Sequence, residues 1–230
     1  MSIAQQPETT AIRVAVRIRS GEGRKESKYT SSGSFTVGSN QQELVVESKK
    51  QPKQTFNFQK VYDRDTVNAD LLNEMETVLP KVFGGYNVYI MLYGAANAGK
   101  NHFLSGSSEE QGMYERVCEN IFERISSDSR NEFMVTLAMY QVRGEKISDL
   151  IDPTEKSSLT LTDHPLSGSY VQDVAEIVVK SSKQLLTLIR EGTRMVNLLK
   201  RRVSGLVAPH VFIDIRVEIK DNNKPSEVKS

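Results

Sequence analysis

Val88-Tyr89-Ile90-Met91-Leu92-Tyr93 runs directly into Gly94-Ala95-Ala96-Asn97-Ala98-Gly99-Lys100-Asn101. The first six residues form an apolar run bounded by Asn87 and Gly94, the pattern of a strand covered on both faces in the sheet of an α/β fold. The next eight fit G-x-x-x-x-G-K but stop short of the final Ser or Thr, and they stand between that strand and a helix start. The bare pattern arises by chance in roughly one chain in ten or twenty of this length. Its weight comes from its placement.

A loop of this kind surrounds phosphates with backbone N–H groups, adds the positive potential of a helix start, and lets its lysine, here Lys100, reach the terminal phosphates. The missing hydroxyl is the group that ordinarily ligates Mg²⁺. Asn101 puts in its place a longer carboxamide whose NH₂ repels a cation that it faces. The plainer reading is that Gly94 and Gly99 make a tight strand-to-helix connection and that Lys100 is solvated.

Working upstream, Asp65 or Thr66 can cap a helix whose apolar positions, Leu71, Leu72, Met75, Val78, Leu79, Val82 and Phe83, recur at three and four, with Gly84-Gly85 ending it. Ile12 to Ile18 alternates apolar and charged residues and predicts a half-buried strand. Segments 34–37, 44–47 and 55–58 predict a small β lobe, with 49–53 around Pro52 as a turn region. Downstream, helices are predicted over 113–125 and from Ser181, where Gln184 completes a capping box. Strands are predicted over 133–140 and 210–219, before a polar tail, 221–230.

Thirty basic and 29 acidic side chains leave a net charge of +1, so no global field steers the chain to nucleic acid or an anionic membrane. No window has the apolar length to span a bilayer, and residues 1–10 lack a basic or apolar leader, which together predict a cytoplasmic protein. Hydrophobic residues at 38% and aromatics at 7% suit one globular domain over 11–220. Cys118, the single cysteine, sits in an apolar helical stripe as a buried small hydrophobe. His102, His164 and His210 stand too far apart for a metal site. Lys200-Arg201-Arg202 closes a helix, where cations meet the negative end of its dipole, though such a cluster also suits an acidic partner.

Five motifs in order carry a resemblance. Ile12-Arg13-Val14-Ala15-Val16-Arg17-Ile18-Arg19, then Phe56-Asn57-Phe58-Gln59-Lys60-Val61-Tyr62-Asp63, then Gly85-Tyr86-Asn87 before Tyr93-Gly94, resemble the opening of a kinesin motor domain. Gly112-Met113-Tyr114-Glu115-Arg116 and Glu145-Lys146-Ile147-Ser148-Asp149-Leu150-Ile151 continue it, the latter similar to the family's "NEKIRDLL". The resemblance implies a three-layer, P-loop NTPase-like α/β fold, a mixed sheet with helices on both faces, here truncated at its C-terminal side. It implies that Arg17 and Arg19 lie against adenine, that Tyr93 leads into the phosphate loop, and that Gly94, Ala95, Ala96, Asn97, Ala98, Gly99, Lys100 and Asn101 cradle ATP or ADP, with Asn101 facing Mg²⁺. From the residues alone, Arg17 and Arg19 share a strand face, where arginines are more often simply solvated.

Departures from the family follow its chemistry. Ser20 replaces the proline after the adenine-contacting segment. The first switch, "NxxSSRSH", has only Leu206-Val207-Ala208-Pro209-His210 as a counterpart, without its serines or arginine, and the second, "DLAGSE", has none. In the family the strand carrying the second switch, and one after it, lie within the central sheet, so their absence predicts gaps between strands. The expectation is a kinesin-like pseudo-motor: cytoskeletal, associated with microtubules, tubulin or another kinesin, with residual or lost ATP binding and no motile ATPase activity. The alternative is an active motor-domain fragment with unconventional Mg²⁺ ligands such as Asp163 or Asp214. A truncated product without independent activity is a third.

Overall fold

Two units divide the chain, Met1–Val67 with Ala95–Gly99 and Asn68–Gly94 with Lys100–Ser230. The structure, a computed structural model, describes residues 12–19, 33–48, 51–152, 159–165, 168–202, 208–221 and 228–229.

The first unit contains strands β1 (Ala15–Arg17), β2 (Gly33–Val37), β3 (Glu43–Ser48), β4 (Gln51–Asn57) and β5 (Lys60–Tyr62). β2, β3 and β4 form an antiparallel sheet in that order, and β1 pairs with β5 in parallel. Pro52, expected in a turn, lies inside β4 instead; β4 is an edge strand, where a missing N–H breaks no ladder. The strand expected over 12–18 is only three residues long because β5 is no longer, and Ile12 and Val14 stay exposed. Gln59 extends the pairing, its Oε1 accepting from Val14 N at 2.9 Å. Ile18, Leu44 and Val61 make a small core, with Val16, Val37, Val46 and Phe58 against it.

The second unit opens with α1 (Asn68–Met75) and a 3-10 helix (Leu79–Gly84) in place of the single helix predicted up to Phe83. Pro80 explains the break: it has no N–H for the ladder, and its ring would clash with the carbonyl four residues back, at Glu76, just past the end of α1. Gly85, at φ 83°, closes the second piece in the left-handed conformation. Further on come α2 (Lys100–Ser105), α3 (Met113–Ser127), β6 (Asn131–Arg143), β7 (Lys146–Asp149), β8 (Thr160–His164), β9 (Gly168–Gln172), β10 (Glu176–Val179), α4 (Ser182–Arg202), β11 (His210–Asp221) and β12 (Val228–Lys229). Ser181 caps α4 as predicted, Gln184 N donating to its Oγ at 3.2 Å, while Gln184 Oε1 accepts at 2.9 Å from Lys180 N, one residue before the cap whose own N–H the capping box would use. β12 falls in the stretch expected as a polar tail, and the side chains of Lys200, Arg201 and Arg202 lie outside the described set.

β6 is the axis of this unit. β11 pairs antiparallel along it from Val142 to Asn131, and β7 and β10 share its other edge end to end. Val135, Leu137 and Met139 face α3 and α4, whose Tyr114, Cys118, Ile121, Leu185 and Ile189 complete the main core. Gly192, in the middle of α4, costs about 1 kcal/mol of helix propensity against Ala. Its reason is Met139, whose Cε lies 2.6 Å from where a Cβ would stand. On the opposite face the small residues Thr136 and Ala138 are also buried, beneath an ion pair that reaches across β6 from Arg216 to Glu176 at 3.2 Å. The Asp149 carboxylate is buried and accepts from Ile151 N at 2.7 Å, Asp152 N at 3.0 Å and Ala175 N at 2.7 Å, tying β7 to the chain that enters β10.

One predicted element is not found. Val88–Tyr93 has the alternating exposure of a strand, with Val88 and Leu92 half-buried, but among the described residues no strand pairs with it. Tyr89, Met91 and Tyr93 are 88%, 87% and 97% exposed. The apolar run is that of a doubly covered strand, and the neighbours that would cover it are not among the described strands.

Burial pushes the Cys118 thiol up to about 12, with Glu119 adding to the effect. At pH 8 the native thiol is expected to resist iodoacetamide and to react in urea at the rate of an ordinary cysteine. Because the raised value disfavours the thiolate, native reactivity should climb only well above pH 9, which mass spectrometry of the alkylated protein across pH would show. Ser181→Ala removes the hydroxyl that caps α4 and is expected to cost about 1 kcal/mol in urea unfolding.

Candidate functional site, the phosphate loop

The loop follows from local chain chemistry. After the apolar run the chain reverses through Gly94 to Gly99 and enters α2 at Lys100, as the strand, loop and helix pattern requires. Ala98 N donates to Ala95 O at 3.2 Å, closing a turn. Asn97 at φ 64° and Gly99 at φ 95° are both left-handed. Asn is among the side chains that tolerate that region, and at 99 only glycine does so without strain.

The loop residues Ala95, Ala96, Asn97, Ala98 and Gly99 belong to the first unit together with Arg17 and Arg19. Arg19, just past the end of β1, donates from its guanidinium to the Asn97 carbonyl. The sequence predicted a shared strand face for the two arginines, and the structure gives them different partners. Arg17 donates to the Thr66 carbonyl at 2.7 Å, across the parallel pair that joins the first two motifs of the resemblance. Of the predicted set in this unit, Arg19 and the loop are therefore in contact, through a main-chain oxygen that no motif singles out.

Tyr93, Gly94, Lys100 and Asn101 belong to the second unit. Lys100 Nζ donates to Gly94 O at 2.6 Å, so the cation bridges back to the first residue of the motif. Tyr93 is turned to solvent, and Asn101 is an exposed residue in the first turn of α2. Two main-chain oxygens of the loop, those of Gly94 and Asn97, thus each accept from a cationic side chain predicted to serve nucleotide.

The replacement carboxylates stand elsewhere. Asp163, in the β8–β9 hairpin, accepts from Ser169 Oγ at 2.5 Å. Asp214 lies on β11 opposite Ala138. Of the first-switch counterpart, Leu206 and Val207 lie outside the described residues, and Ala208 and Pro209 lead into β11 at His210. Among the described residues no group of three or more His, Cys, Asp or Glu side chains is placed to hold a metal ion. The donor chemistry at 101, a neutral carboxamide after the lysine, does not match the hydroxyl that Mg²⁺ requires of this loop.

Comparison with known proteins bears on the whole chain. The family model described as the kinesin motor domain matches residues 15–229. Kinesin-like protein KIF1A of Rattus norvegicus is 31% identical over 206 residues, covering 80% of this chain and 12% of that protein. Kinesin-like protein KIN-14B of Oryza sativa subsp. japonica is 29% identical over 191 residues, covering 80% of this chain and 22% of that protein. The chain therefore spans a small part of the length of these relatives. A solved fast kinesin, described for its ATPase mechanism and its interactions with microtubules, superposes with a TM-score of 0.84 at 22% identity. That match covers 95% of this chain and 62% of the solved one, and it shows that the fold is the motor fold, truncated. No helix among the described residues is long and apolar enough to cross a membrane. From Ala15 onward, by family model and by fold, the chain belongs to the kinesin motor domain family.

Proposed function

We propose that this chain is a kinesin-like pseudo-motor, a cytoplasmic, cytoskeletal module that associates with microtubules or with another kinesin as an adaptor or regulator. Its phosphate loop keeps residual affinity for ATP or ADP and has lost metal-assisted hydrolysis. The observation that carries this reading is Asn101, which follows Lys100 in the first turn of α2, where the chemistry needs a hydroxyl.

The nucleotide-binding set is Arg17, Arg19 and Tyr93 with Gly94–Asn101. Its phosphate-facing groups, the loop N–H groups and Lys100, require no metal to attract an anion. Arg19 and Lys100 are held against loop carbonyls, so nucleotide gains their charge only by replacing hydrogen bonds already made. Hydrolysis needs more than attraction. Losing one preorganised polar group at a reacting centre costs roughly 10² to 10³ in rate. Here the hydroxyl at 101 and the serines and arginine of the first switch are missing together, and of the two carboxylates in the alternative reading, Asp163 and Asp214, the first is already bonded to Ser169.

Fluorescent ATP and ADP analogues, titrated with and without Mg²⁺, test this. Weak binding that changes little with Mg²⁺ is expected, with Lys100→Ala losing about 1.5–3 kcal/mol, the range for a hydrogen bond to a charged group. Microtubules should co-sediment with the protein without raising phosphate release above background. Tight, Mg²⁺-dependent binding with microtubule-stimulated turnover would overturn the proposal in favour of a working motor fragment.

A further inference from the structure

The hairpin that joins β6 to β7 turns through two residues, Gly144 at φ 60° and Glu145, and that tight turn fixes its register. Arg143 stands directly opposite Lys146, and Gln141 directly opposite Ser148. Residues 141 and 143 continue the alternation of Val135, Leu137 and Met139, so these four side chains share the face of the sheet that carries α3 and α4. Facing pairs in such a ladder lie about 5 Å apart and successive rows on one face about 7 Å apart. One small tile at the end of β6 therefore gathers a guanidinium, an ammonium, a carboxamide and a hydroxyl.

The polar atoms of this tile are not satisfied by the protein. Arg143 Nε and Nη2 and Gln141 Oε1 are buried without a hydrogen-bond partner, and Gln141 is only 4% exposed. On its other side Gln141 faces Val211 of β11, which offers no polar side chain. Among the described residues neither Arg143 nor Lys146 has a carboxylate partner, and Glu145, exposed in the turn between them, pairs with neither. Arginine cannot shed its charge, so a buried guanidinium without an anion costs stability. Two cations directly opposite one another in a ladder repel, which adds to that cost. Gln141 makes the reverse demand, because its unpaired atom is an acceptor and lacks a donor. Lys146 is exposed, so the tile opens to water on the side of the turn.

We propose that Arg143, Lys146, Gln141 and Ser148 form a binding site for inorganic phosphate. Two cations match a doubly charged oxyanion, and the guanidinium supplies two parallel N–H donors to it. The unpaired amide oxygen selects among oxyanions. An ionised carboxylate or a sulfate only accepts hydrogen bonds, and a phosphate monoester has lost most of its last proton by pH 7.5, since its second pKa is about 6. Inorganic phosphate keeps an O–H at that pH and donates it to Gln141 Oε1 while its other oxygens accept from Arg143 and Lys146. The site is independent of the nucleotide reading, because no residue of Gly94–Asn101 takes part in it.

Isothermal titration calorimetry of the 230-residue chain at pH 7.5 and fixed ionic strength tests it. The chain carries Lys100→Ala, which takes the lysine of the phosphate loop out of the measurement, and is titrated with inorganic phosphate, sulfate and methyl phosphate. Saturable binding of one phosphate is expected, with sulfate and methyl phosphate weaker by about tenfold for the hydrogen bond that they cannot donate. Adding Arg143→Met, which keeps the stem and removes the charge, should abolish binding, and Lys146→Gln should weaken it by about tenfold. Urea unfolding separates a ligand site from a structural contact. In phosphate-free buffer Arg143→Met should be at least as stable as its parent, and added phosphate should raise the unfolding midpoint of the parent alone. Four results overturn the proposal. They are no saturable phosphate binding in the Lys100→Ala chain, binding that survives Arg143→Met, sulfate or methyl phosphate bound as tightly as phosphate, and an Arg143→Met chain that is less stable than its parent without phosphate.

Discussion

A strand withdrawn from water must find a hydrogen-bond partner for every N–H and C=O along both edges, and the second unit is organised by how far that requirement is met. β6 meets it over residues 135–142, with β11 along one side and β10 and β7 along the other. Its residues 135–139 are therefore buried on both faces, one against α3 and α4 and one beneath the Arg216–Glu176 pair. Each helix contact then depends on the register of that strand. Gly192 shows how closely: α4 gives up a side chain at its centre so that Met139 can occupy the space.

Where the requirement is not met, the structure changes character. Val88–Tyr93 is as apolar as β6 and stands immediately before the phosphate loop, yet it makes no ladder among the described residues. The loop after it keeps its turn, its two left-handed residues and its lysine contact, because these are local bonds that need no neighbouring strand. Phosphate attraction and phosphate chemistry separate on the same grounds. Attraction comes from main-chain N–H groups and one lysine within a single stretch, whereas hydrolysis demands side chains brought from distant segments to one point. In the proposed function, substitution at 101 and in 206–210 strikes the second requirement and spares the first.

Short-range patterns were legible in the sequence. The 3.6-residue stripe of α3, the Ser181 cap of α4, the alternation of β11 and the strand-to-helix setting of Gly94–Asn101 all came from residues within a turn or two of one another. Errors arose where a distant partner decides. One error was local: the helix expected to reach Phe83 ends at Met75, ahead of Pro80, because the apolar period carries on past the proline. β1 stopped at three residues because β5 offers only three, and the β8–β9 hairpin, with weak alternation and exposed faces, gave little periodic signal.

By itself, then, the amino-acid sequence determined the family, the phosphate loop and the loss of its hydroxyl, since motif identity and side-chain chemistry are properties of residues in order. Only the tertiary structure decided that Arg19 meets the loop at Asn97 while Arg17 donates to Thr66, that Asp163 is already bonded within its own hairpin, and that the run before the loop pairs with no strand among the described residues. The physical reason is that an apolar period specifies how a strand would be buried but not which strands stand beside it, and hydrogen-bond partners far apart in the chain are chosen by the fold alone.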